Sequence, residues 1–198
     1  MLIKICGLRD VELATQTAQA GAHFIGLVFH PVSKRFVTLD KAKAIALATK
    51  QAGAIPVAVF VDHSALQMQE ICEATDITTV QLHGNMARSQ HLGLPKKYTR
   101  IYVQTSDMQQ DVYEGDPARD FLLFDHRQAG SGQTFDWENF SYAGKFRWFL
   151  AGGLTPDNVS MAAQQLQPMG VDVSSGVENE TGEKQLHKIK TFIQRARG

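Results

Sequence analysis

Cys6 ends the apolar run LIKIC and is followed at once by Gly7. A thiol there has two readings. Free cysteine usually behaves as a small buried hydrophobe, but it becomes a base or nucleophile where its surroundings favour thiolate. Asp125 raises the same question at the end of FLLFD. An acid closing such a run has to be paired, desolvated or at a pocket rim; it either anchors a loop or works as an acid. Asp62 and Asp172 are weaker instances. Arg35, in HPVSKRFV, is either a solvated surface cation or a bidentate clamp for a carboxylate. Cys72 lies beside Ile71 on the apolar face of a helical segment and reads as core. The seven histidines show no metal-ligand spacing, so no metal is expected.

These residues need elements to hold them. Eight short apolar runs, most of them nearly continuous, recur along the chain: Leu2 to Cys6, Phe24 to Phe29, Pro56 to Val61, Thr78 to His83, Arg100 to Gln104, Phe121 to Asp125, Arg147 to Gly152 and Gly170 to Gly176. Runs of this kind suit parallel strands covered on both faces. Helical segments lie between them. Ser64 and Gln67 have the spacing of a capping box ahead of Met68, Ile71 and Cys72. Thr155-Pro156-Asp157 reads as a helix start. Leu186, Ile189 and Ile193 recur at helical spacing, and Gly21 can end the helix that follows Val11. The helices after the fourth, fifth and sixth runs are weak, and residues 105–120 read mostly as loop. Eight such units predict a single-domain (β/α)8 barrel over residues 1–198, with an open doubly wound sheet as the alternative.

A barrel carries its chemistry at the C-terminal ends of its strands. That gathers Cys6, His83, Asp125 and the glycine-rich turns into one ring. Gly152-Gly153 in AGGLTPDNV and Ser174-Ser175-Gly176 in VDVSSGVE follow the seventh and eighth runs. Backbone N–H groups at such places suit a phosphate better than two ordinary turns would. The stretch QAGSGQTFDW, Gln128 to Trp137, reads as a loop able to close over a ligand; its spacing fits neither a P-loop nor a dinucleotide turn.

The bulk numbers exclude several classes. The chain has 198 residues, 20 Lys plus Arg against 20 Asp plus Glu, and two cysteines. A zero formal charge gives no sign of a nucleic-acid or anionic-membrane partner. No run approaches a membrane span, no leader pattern opens the chain, and two cysteines make no disulfide framework. A reducing cytoplasm is the simplest setting.

Taken in order, KICGLRD, GLVFHPVSKRFV, VAVFVD, VQLHG, FLLFD with GSGQTFDW, AGGLTPDNV and VDVSSGVE resemble the phosphoribosylanthranilate isomerase family over the whole chain. The resemblance implies a (β/α)8 barrel that converts N-(5-phosphoribosyl)anthranilate into 1-(2-carboxyphenylamino)-1-deoxyribulose 5-phosphate, with no cofactor or metal. It also implies roles: Cys6 as general base, Asp125 as general acid, Arg35 on the anthranilate carboxylate, and His83 and Asp172 lining the pocket. Gly152, Gly153, Ser174, Ser175 and Gly176 would hold the phosphate. Ala129 stands where a further glycine is expected, and Gln185 where an acid commonly follows the lysine. Asp125 must then stay protonated and Cys6 must give up its proton, so neighbours such as Arg9 are expected to lower the thiol pKa. A rival synthase on the same barrel would want a lysine at a strand tip, and none ends these runs. A non-catalytic phosphosugar-binding barrel is the other alternative. Oligomeric state is not legible.

Overall fold

The computed structural model describes residues 1–105, 113–125 and 140–198. Eight parallel strands close into one barrel in chain order. They are β1 (Leu2–Cys6), β2 (Phe24–Val28), β3 (Ile55–Phe60), β4 (Thr79–Leu82), β5 (Thr99–Thr105), β6 (Phe121–Asp125), β7 (Arg147–Leu150) and β8 (Gly170–Val173). The pairing of β8 with β1 closes the ring and sets Lys4 beside Asp172. An open sheet would leave those edges unpaired, so the doubly wound alternative falls. β7 stops short of the expected run because Gly152 and Gly153 turn into positive φ, +83° and +67°, which no strand continues through.

The described α-helices are α1 (Val11–Gln19), α2 (Leu39–Gln51), α3 (Ala65–Thr75), α4 (Asn85–Ser89), α5 (Val159–Leu166) and α6 (Leu186–Arg197), with single 3-10 turns at His91–Gly93 and Ser175–Val177. α1 starts on Asp10, whose carboxylate accepts from the Leu13 N–H, and α3 starts on the expected box of Ser64 and Gln67. α5 begins later than Thr155. The Thr155 hydroxyl accepts from the Asp157 N–H and the Asn158 side chain accepts from the Thr155 N–H, so these side chains close a separate turn ahead of the helix. α4 is five residues long, as the weak pattern implies. The described residues between β5 and β6 form turns only, and QAGSGQTFDW lies outside the described residues.

Side chains alternate along a strand, so each strand gives one face to the helices and one to the barrel bore. Toward the strand starts the bore is filled by Phe24, Phe121 and Phe149, packed edge-on or tilted with centroids 5.4–6.2 Å apart. Above this apolar plug the inward positions turn polar, and there Lys4, Cys6, Gln81, Asp125 and Asp172 are all buried.

Candidate active site

A cavity of about 440 Å³ opens at the C-terminal mouth of the barrel. Cys6, Arg35, His83, Asp125, Asp172 and Ser174 line it, with Gln81 and a wall of Val28, Val59 and Val61. Six of the residues singled out from the sequence therefore share one space. Gly152, Gly153, Ser175 and Gly176 stand in the loops after β7 and β8 and are not among its lining residues. Those two loops touch: a Cβ on Gly176 would run into the Leu154 carbonyl oxygen. Cys72 is buried under α3, where burial pushes its thiol up to about 12, so it is inert core as expected.

Cys6 is 7% exposed. Gly26 faces it across the β1–β2 pair, and a Cβ at Gly26 would sit 2.7 Å from the Cys6 Sγ. The glycine thus leaves the space that the thiol occupies. The expected fall in the thiol pKa is not what the surroundings produce. Burial pushes the Cys6 thiol up; Lys4 pulls it down, Asp172 pushes it up further, and Lys184 pulls it down more weakly. Nor is Arg9 its neighbour: that side chain is exposed and paired with Glu183 at 2.6 Å. The cations near the thiol are Lys4, two residues earlier on the same inward face, and Lys184.

Arg35 comes off the loop after β2 and meets Glu178, which follows β8. Its Nε and Nη2 donate to the two carboxylate oxygens at 2.6 and 2.9 Å. Lys184 donates to the same carboxylate at 2.8 Å and to the Ser174 carbonyl and hydroxyl at 2.8 and 3.1 Å. The Ser174 hydroxyl in turn donates to the Cys6 carbonyl at 3.1 Å. Burial raises the Glu178 carboxyl, but the hydrogen bonds from Arg35 and Lys184 outweigh it and bring it to about 2. Arg35 is therefore held by one edge and keeps its Nη1–Nη2 end for another anion. Burial, then the Lys4 charge, pushes the His83 imidazole down to about 4, so it is neutral at pH 7.

Sequence reasoning assigned no role to Lys4, Gln81, Glu178, Lys184 or Gly26. For Lys4 the signal was present: in LIKIC it stands in phase with Cys6. A polar residue two places before a mouth residue lies on the same face of the strand. Glu178 and Lys184 act from loops and carry no comparable spacing.

A closed parallel barrel with its polar, ionised cavity at the C-terminal mouth belongs with the (β/α)8-barrel enzymes that act on small molecules. The comparisons narrow this. The family model described as N-(5'phosphoribosyl)anthranilate (PRA) isomerase matches residues 3–195, and the chain belongs to that family. A protein named N-(5'-phosphoribosyl)anthranilate isomerase from Chlamydia felis is 40% identical over 201 residues, covering 100% of this chain and 97% of that one. The solved phosphoribosyl anthranilate isomerase of Thermotoga maritima superposes with a TM-score of 0.86 at 32% identity, covering 100% of both chains. A solved isomerase in complex with reduced 1-(o-carboxyphenylamino)-1-deoxyribulose 5-phosphate superposes at 0.80, with 29% identity and the same coverage. Among the described residues no helix is long and apolar enough to cross a membrane.

Proposed function

We propose that residues 1–198 form one catalytic barrel that isomerises N-(5-phosphoribosyl)anthranilate, with Asp125 as general acid and Cys6 as general base. Membership of the isomerase family supports the reaction, and so does the reduced product held by a solved relative. The observation that carries the roles is that Cys6 and Asp125 line the same cavity, together with the Arg35 cation.

In this reading Asp125 gives its proton to the furanose ring oxygen, the C1–O bond breaks, and a protonated Schiff base forms. The iminium acidifies the C2–H. Cys6, ionised to thiolate before the step, takes that proton and becomes the thiol, the electron pair moves into an enolamine, and tautomerisation yields the ketone. Arg35 holds the anthranilate carboxylate by its Nη1–Nη2 end, oriented by Glu178. The turns at Gly152-Gly153 and Ser174-Ser175-Gly176 take the phosphate. Neutral His83 and the carboxylate of Asp172 serve as hydrogen-bonding groups near the sugar. Fixing both ends of the substrate sets the reacting carbons between acid and base. A thiol base suits a reducing cytoplasm.

Purified chain with EDTA present is expected to remove the fluorescence of N-(5-phosphoribosyl)anthranilate. A folded protein that binds the substrate and leaves its fluorescence unchanged would overturn the reading in favour of a non-catalytic phosphosugar-binding barrel. Arg35→Ala is expected to raise KM by about 10- to 100-fold with a smaller change in kcat, the scale of one lost charge-assisted contact. Glu178→Gln should do the same more weakly, because Arg35 stays but loses its anchor. Steady-state kinetics on the two variants checks both, and an unchanged KM for Arg35→Ala would remove that residue from the site.

A further inference from the structure

Lys4 has no part in the reaction as proposed above, yet it is fully buried in the barrel bore. Its Nζ donates to Asp172 Oδ1 at 2.9 Å. A lone buried ion pair is a weak source of stability, because desolvation offsets most of the attraction. The position of this one is more telling than its strength. Lys4 and Cys6 are two residues apart on one strand and share its inward face. Asp172 holds the ammonium from β8, directly across the β1–β8 pairing. An ammonium has three donors, and one hydrogen bond fixes its place without using up its charge.

We propose that Lys4 is a positioning residue for the base: its ammonium, pinned by Asp172, stabilises the thiolate form of Cys6, the form that takes the substrate proton. This rests on the reading of Cys6 as that base. The other charged or titratable groups around the thiol are Asp172 on β8, Lys184 from the loop before α6, His83 after β4, Asp125 on β6 and Arg35 after β2. Next to the thiol itself β2 and β3 present Gly26, Val28 and Val59, which are uncharged. Asp172 opposes a thiolate, and Lys184 is already engaged by Glu178 and Ser174. His83 is neutral. Lys4 is thus the cation whose charge is most directly at the disposal of Cys6, in agreement with its place as the strongest opponent of burial at that thiol.

The test uses Lys4→Gln, which keeps a donor for Asp172 and removes the charge, alongside Lys4→Met. Two readouts are taken: steady-state kinetics, and the rate at which iodoacetamide alkylates Cys6 as a function of pH, in a Cys72→Ala background. The expected result is an alkylation midpoint at least about one pH unit higher in Lys4→Gln, a tenfold smaller thiolate fraction, with kcat down about tenfold or more and KM little changed. Lys4→Arg should recover most of the wild-type midpoint. A packing role alone would not move the midpoint. If Lys4→Gln folds and keeps both the wild-type midpoint and kcat, the inference is wrong. If neither neutral variant folds, Lys4→Arg and the wild type decide: a midpoint no lower than that of Cys72 in a Cys6→Ala protein would overturn it. Failure of the base reading itself shows separately, as full activity in Cys6→Ala.

Discussion

Cys6→Ser is expected to fold like the parent, bind substrate with a KM close to wild type, and lose about 10²–10⁴-fold in kcat, the usual contribution of a positioned proton-transfer group. Serine fills the space beside Gly26 and keeps a hydroxyl there, so the packing at the β1 tip changes little. What it loses is acidity: a hydroxyl does not ionise in reach of neutral pH, even beside Lys4. Cys72→Ala is the matched control. That thiol lies in the apolar layer under α3, pushed up to about 12 by burial. Its removal should cost some thermal stability and leave turnover intact. Kinetics and thermal melts on the two variants separate the outcomes. Full turnover in Cys6→Ser would show that another group takes the C2 proton.

Asp125→Asn should fall by a similar factor of about 10²–10⁴ in kcat, for a different reason and at a different step. The amide is nearly isosteric and can still donate a hydrogen bond to the ring oxygen, but it cannot transfer a proton. Ring opening then becomes the slow step. The two variants are therefore distinguishable by substrate deuterated at C2. In Cys6→Ser the loss falls on C–H cleavage, and the primary isotope effect on kcat should grow or persist. In Asp125→Asn cleavage follows the slow step, and the effect should shrink toward unity. Equal isotope effects in both variants would mean that acid and base do not act at separate steps as assigned.

The fold was legible because eight buried strands leave eight apolar runs, and the punctuation between them is chemically plain: Ser64 with Gln67, and Gly21. It was less legible where local side chains compete with the helix. Thr155 carries every sign of a cap, yet its hydroxyl and Asn158 close a turn of their own, and α5 waits until Val159. The site divides in the same way. Residues at strand tips, Cys6, His83, Asp125 and Asp172, could be read because a barrel collects its tips at one mouth. Weighing the runs by their apolar residues left Lys4 and Gln81 without a role, although they sit in phase with the site one layer deeper. The expected lowering of the Cys6 pKa failed because proximity to cations was weighed without the burial that brings them close. Glu178 was invisible for a further reason: its worth comes from Arg35, 143 residues away in sequence.

Other contacts of the site span even more of the chain. Lys4 with Asp172 spans 168 residues, and so does Ser174 with Cys6. Each contact ties the beginning of the chain to its final quarter, and none can form before β8 has docked on β1. Contacts of such separation carry the largest loop-closure cost and form late. The site is thus the last thing the molecule completes. A nascent chain still missing β8 would have its thiol and its arginine but neither of their anchors. During refolding, catalytic competence should return with the slowest phase, after most helical signal has recovered.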